Sequence, residues 1–150
     1  MSFSKVLIAV ENVPLALKVA RTGFLLAESL KAQVALVHVV DKSLAVGDID
    51  AGILPEQALA QLKREGEELI GQLIELYGKS LYPWHFLPEG KPDETILLMS
   101  KDWQADILVI GTRGRSGLQK LLMGSVAQAI LRHSPCPVLV VRESYEYFNC

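Results

Sequence analysis

An α/β fold built on a parallel sheet is predicted by three features of this 150-residue chain: short apolar runs rich in branched residues, amphipathic segments between them, and glycine or proline at the junctions. Val6-Leu7-Ile8-Ala9-Val10 carries no polar side chain, as suits a strand covered on both faces, and residues 34–40 repeat the pattern with only His38 as a polar interruption. Between them Ala16, Ala20, Phe24, Ala27 and Leu30 recur at helical spacing after Pro14, whose fixed φ and missing donor suit a first helical turn. Residues 41–54 have no firm period and read as a long excursion that ends at Pro55-Glu56, a helix start. From residue 56 to 77, Leu59, Leu62, Leu69, Leu73 and Leu76 alternate with charged residues, predicting an amphipathic helix that Gly78 terminates.

Residues 82–87 predict a third strand, placed near an edge because Pro83 removes a ladder donor. Gly90-Lys91-Pro92 then opens a helix with Asp93 and Glu94 at its positive end and Ile96, Leu97 and Met99 on its buried side. Ile107-Leu108-Val109-Ile110 is the fourth strand, and Val138 to Val141, after the rigid Pro135-Cys136-Pro137, is the fifth. Strands alternating with helices imply right-handed crossovers, hence an open doubly wound parallel sheet with helices on both faces. With no internal change of composition and no repeat, residues 1–150 are expected to form one domain, ending in a short tail at 142–150 whose Tyr145, Tyr147 and Phe148 pack on the body or on a partner.

Composition narrows the function. A net charge of −2 gives no global electrostatic case for a nucleic-acid partner. Two cysteines, Cys136 and Cys150, build neither a disulfide framework nor a zinc cluster, and the expected compartment is cytoplasmic. The apolar run after Met1 is too short for a secretory signal, and none approaches the ~18 residues that span a bilayer, so no integral membrane association is expected. Trp84, Trp103, Tyr82 and Phe86 have little basic charge around them and are expected in the core rather than on a base-stacking platform. His38 is read as a polar strand residue with a local partner, His133 as a helix-end residue, and Asp41 and Asp106 as turn formers rather than metal ligands.

The chemistry concentrates after the fourth strand. Gly111-Thr112-Arg113-Gly114-Arg115-Ser116-Gly117 leaves its carboxyl end, where open parallel sheets place ligand crevices. Gly124-Ser125 then opens the next helix, whose first N–H groups lack intrahelical partners. Glycines permit close approach of backbone donors to a phosphate, Ser125 adds a hydroxyl, and Arg113, Arg115 or Lys120 can neutralise its oxygens. Taken singly, each residue is better read as a turn glycine, a helix cap or a solvated cation. Together they predict a nucleotide phosphate cradle. It is not a P-loop, because no Gly-Lys-Ser/Thr closes the glycine loop, and Val10-Glu11-Asn12-Val13-Pro14 lacks the glycines of a dinucleotide fingerprint.

Gly111, Gly114, Gly124 and Ser125 follow the spacing glycine, two residues, glycine, nine residues, glycine-serine. With this pattern, the opening at Val6 to Glu11, His38-Val39-Val40 and the Pro135-Cys136-Pro137-Val138 ending, the chain resembles the ATP-binding branch of the universal stress protein family over nearly its whole length. The resemblance implies a Rossmann-like, adenine nucleotide alpha hydrolase-like fold with strand order 3-2-1-4-5. It also implies ATP as ligand, with Mg²⁺ held mainly by the phosphates. Ala9, Val10, Glu11 and Val39 then border the adenine, joined by Val126, while the spaced glycines hold the ribose and phosphates. Glu11 departs from the aspartate of many relatives by one methylene, and Asn12-Val13 replace the small residue and serine that often follow. A homodimer through Val138 to Val141 and a regulatory protein partner in a stress response are further implications. The competing readings are a family member that has lost ATP and acts as a scaffold, and a slow ATP hydrolase; no residue is singled out as catalytic or metal-binding.

Overall fold

The computed structural model describes residues 2–112 and 123–143. Five parallel strands, β1 (Lys5–Ala9), β2 (Gln33–Val37), β3 (Trp84–Phe86), β4 (Ile107–Gly111) and β5 (Val138–Val141), form one sheet in the order β3-β2-β1-β4-β5. The order follows from two windings out of β1, one through β2 to β3 and the other through β4 to β5. The connecting helices are α1 (Leu15–Leu30), α2 (Pro55–Leu73), α3 (Pro92–Asp102) and α4 (Ser125–His133).

Alternation along each strand separates two cores. Val6, Ile8, Val34, Leu36 and Val109 meet Phe24 and its neighbours on α1 and Ile70 and Leu73 on α2. Leu7, Ala35, Val37, Leu108 and Ile110 meet Ile96 of α3 and Ala127 and Ile130 of α4. Both faces of the central strands are covered, which is why their sequences are unbroken apolar runs. Among the described residues no helix is long and apolar enough to cross a membrane.

Several boundaries differ from the sequence expectation. Pairing of β2 with β1 stops at Val37, because β1 ends at Ala9. Residues 38–40 instead continue along the β3 side, where His38 N–H donates to Phe86 O (3.0 Å) and Val40 N–H to Pro88 O (2.8 Å). Pro14 sits at the N-cap of α1 rather than inside its first turn. Helix α2 begins at Pro55 as predicted, and its final turn widens to π spacing over Ile74–Gly78. Gly78 is required there by packing: a Cβ on it would lie 2.5 Å from Cζ of Phe24.

The aromatic residues of the third strand divide. Phe86 and Trp103 pack against the α3/α4 core, but Tyr82 is 88% and Trp84 59% exposed, contrary to the expectation of burial. The reason is position: β3 is a three-residue edge strand, and Tyr82 precedes it in a left-handed conformation (φ 48°) that turns it off the sheet. Within the excursion a 3₁₀ turn over Lys42–Leu44 is capped by Asp41, whose carboxylate accepts from Ser43 N–H (3.0 Å) and Oγ (2.6 Å).

Candidate functional site

At the carboxyl ends of β1, β2 and β4 the chain forms two recesses with a shared wall. The first, of about 210 Å³, lies between Glu11-Asn12-Val13, the stretch His38 to Asp41, and Leu62, Glu65 and Leu69 of α2. The second, of about 30 Å³, lies deeper, between Ala9, Gly111, Leu15 of α1 and Val126 of α4. Glu11 and Asn12 line both, so one cleft runs from the end of β2 to the start of α4. Parallel strands create this opening because the two windings diverge from β1.

Backbone alternation decides what the first recess offers. Val37 O accepts from Val10 N–H on the β1 side (3.0 Å), whereas His38 and Val40 use their N–H groups on the β3 side. The N–H and C=O of Val39 therefore point back toward β1, which has already ended. Among the described residues neither group has a hydrogen-bond partner, although Val39 is only 7% exposed. An unmatched donor and acceptor side by side in a buried setting are costly unless a ligand or water completes them.

His38 fixes the geometry. Its Nδ1 lies 3.0 Å from Val10 O, and because a carbonyl only accepts, Nδ1 carries the proton. The ring rests on α2 at Gly66, where a Cβ would come within 2.8 Å of Cδ2. Glycine at 66 thus lets α2 close over the end of β2. This is the local partner expected for His38, and it ties the ends of β1 and β2 together.

At the other end of the cleft, Gly124 is the N-cap of α4 and Ser125 its first, exposed residue. Gly124 N–H donates to Thr112 O (2.7 Å), holding the helix start against the end of β4. The first turn of α4 has neither an acidic residue nor a side-chain cap, so the N–H groups of Ser125 and Val126 face outward with the positive end of the helix dipole. Helix α3 contrasts with it, carrying Asp93 and Glu94 in its first turn.

Of the residues singled out from sequence, Ala9, Glu11, Val39, Gly111 and Val126 line the cleft, and Gly124 and Ser125 stand at its α4 end. Val10 faces the α1-side core and serves through its carbonyl. Gly111 has a packing cause of its own, since a Cβ there would meet Leu15 Cδ2 at 2.7 Å and Val19 Cγ2 at 3.1 Å. Arg113, Gly114, Arg115, Lys120 and the 144–150 tail lie outside the described residues.

Sequence reasoning did not assign Leu62, Glu65 and Leu69 to the site. Their helical spacing marked one apolar face of α2 but not what that face covers. Asp106 sits at the opposite end of the sheet, accepting from Ser4 N–H (2.8 Å), Ser4 Oγ (2.9 Å) and Lys5 N–H (2.9 Å). Cys136 is half-buried beside Ser134, and burial pushes its thiol above the usual range, away from thiolate reactivity.

Comparison with known proteins agrees with this architecture. A universal stress protein of Methanocaldococcus jannaschii is 31% identical over 144 residues, covering 94% of this chain and 83% of the relative. Universal stress protein UspA from Lactobacillus plantarum superimposes with a TM-score of 0.82 at 21% identity, covering 95% of this chain and 99% of that one. A universal stress protein solved in complex with cAMP superimposes with a TM-score of 0.64 at 18% identity, covering 96% and 100%. The sequence pattern of the universal stress protein family matches residues 2–142, and the chain belongs to that family.

Proposed function

We propose that the protein is an ATP-binding universal stress protein whose nucleotide occupancy is read by a regulatory partner. The observation that carries the reading is the unmatched Val39 N–H and C=O in the recess beside Glu11. An adenine edge complements this pair: a ring nitrogen accepts from Val39 N–H and the 6-amino group donates to Val39 C=O. Guanine presents the reverse pattern, N1–H and O6, and leaves both backbone groups opposed to like groups. The cAMP held by a structural relative carries the same base.

Glu11 and Asn12, shared by both recesses, stand where the ribose would lie, and Glu11 accepts from a sugar hydroxyl. Phosphates then reach the start of α4, where the N–H groups of Ser125 and Val126 and the Ser125 hydroxyl donate to anionic oxygens. The 113–122 segment supplies Gly114, Arg113 and Arg115 to the same phosphates in this reading. Mg²⁺, when bound, neutralises phosphate charge and is held mainly by the phosphates themselves. The assignment extends to a cytoplasmic homodimer paired through β5, an edge strand of the sheet.

Calorimetric titration with ATP and GTP tests the reading. We expect stoichiometric ATP binding, at least about tenfold tighter than GTP because a reversed donor-acceptor pair forfeits two hydrogen bonds. No binding of either nucleotide, or equal affinity for both, would overturn it. Equilibrium sedimentation of the same samples should give twice the chain mass, and a concentration-independent monomer would remove the β5 pairing.

A further inference from the structure

The excursion between β2 and α2 holds apolar side chains out in solvent in a fixed conformation. Val46 is 75% and Ile49 94% exposed, with Leu44, Ile53 and Leu54 also exposed. The segment is nevertheless ordered by its own hydrogen bonds: Asp48 and Ile53 exchange N–H···O bonds of 2.8 Å in both directions, and Asp48 Oδ1 accepts from Asp50 N–H (3.1 Å). An ordered apolar surface that does not collapse onto its own core marks an interaction site.

Beside it, the excursion and α2 enclose an open groove of about 810 Å³, lined by Leu44, Ile53, Ala58, Ala60, Gln61 and Leu62. Arg64 also lines it and is turned onto Gln61 (Nη2–Oε1, 2.6 Å). Charge identifies the occupant. Residues 41–68, which hold the excursion and the groove-lining part of α2, carry seven carboxylates against three cations, Lys42, Lys63 and Arg64. Lys63 is already paired with Glu89. A second copy of this surface would oppose acid to acid, and an anionic lipid surface would be repelled. An apolar groove in acidic surroundings matches a helix with an apolar stripe flanked by Lys or Arg.

Leu44 and Leu62 line this groove and also the recess beside Val39, so the same two side chains form the partition between them. We propose that the groove docks a cationic amphipathic segment of a partner protein, and that the Leu44-Leu62 partition makes docking depend on occupancy of the recess. The second half rests on the nucleotide reading above. A base packed on one side of the partition restricts the leucines that shape the other, so the two ligands share a coupling free energy.

The probe is a fluorescent helical peptide of Leu and Lys in amphipathic order, titrated into the full chain, with a Leu/Glu counterpart. The Lys peptide should bind and the Glu peptide should not. Ala60→Lys, an exposed helical position where lysine is well tolerated, and Ile53→Ser should each weaken binding at least about tenfold. Leu98→Lys, exposed on α3, should leave it unchanged. Equal loss in all three variants, or none in Ala60→Lys, would overturn the docking site. So would a concentration-dependent mass abolished by Ala60→Lys, which would make the occupant a second copy, or Ile53-dependent sedimentation with phosphatidylcholine vesicles, which would make it a lipid surface. Saturating ATP should shift the peptide affinity at least about threefold, a coupling near the lower end of the usual range. Calorimetrically bound ATP with no shift would overturn the coupling alone. Absence of ATP binding would overturn the nucleotide reading and the coupling with it, leaving the docking to be judged by the peptide.

Discussion

The two ends of the sheet treat their polar groups in opposite ways. At the amino ends of the strands the chain satisfies itself: Asp106 accepts three hydrogen bonds from Ser4 and Lys5, and its own N–H donates to Lys5 O (2.8 Å). Lys5 Nζ donates to Trp103 O (3.1 Å) and lies 5.2 Å from the centre of the Trp103 ring. At the carboxyl ends, Val39 presents a donor and an acceptor with no partner among the described residues, and α4 begins without a side-chain cap. One end closes the fold on itself, while the other leaves backbone groups unmatched among the described residues. That separation predicts that residues at one end can change without disturbing the other.

The largest test strikes where packing and cleft coincide. Gly111→Val places a branched side chain against Leu15 and Val19, and overpacking of this kind costs about 1–3 kcal/mol. Denaturant midpoints should fall and ATP binding should fall with them, because the same backbone walls the deeper recess. Val39→Pro comes next and separates the two properties. It removes the N–H that faces the recess while His38 and Val40 keep their bonds to the β3 side, so ATP affinity should drop about tenfold or more with little change in the thermal midpoint. A large loss of stability with unchanged ATP affinity would show that Val39 serves the fold instead.

Asp106→Asn is the smallest change and its mirror image. Hydrogen bonds from the Ser4 hydroxyl and backbone, then from Lys5 N–H, hold the Asp106 carboxyl below its usual range. A depressed folded value means that the stabilisation is complete above the unfolded carboxyl's pKa, about 4, and is lost as pH falls through the lower folded value. Glu89, lowered by Lys63 and then Lys42, acts in the same direction. Thermal midpoints measured from neutral to acid pH should therefore decline less steeply in Asp106→Asn than in the parent, from a lower starting point, with ATP affinity at neutral pH unchanged. An altered ATP affinity would break the independence of the two ends.

Local pattern revealed the elements and left their mutual contacts open. The uninterrupted Val6 to Val10 run announced a buried central strand, and the amphipathic period of α2 announced one covered face. Nothing in that period disclosed that Leu62, Glu65 and Leu69 wall the recess at Val39, or that Gly66 admits His38. Phe86 and Trp103 pack as their hydrophobicity predicts, but the exposure of Tyr82 and Trp84 escapes the sequence for a related reason: whether Trp84 has a neighbour to cover it depends on β3 being an outer strand. Gly111 reads in the sequence as a turn glycine or one that admits a phosphate, while the structure adds a packing cause, the closeness of α1.

The sequence by itself determined the alternation of strands and helices, the resemblance that orders them, and the residue types gathered at the carboxyl ends of β1, β2 and β4, because periodicity and turn chemistry act over a few neighbouring residues. Only the tertiary structure decided which backbone groups remain unmatched. That depends on where β1 stops relative to β2, and the register of two strands separated by a helix is fixed by packing across the sheet rather than by any stretch of sequence.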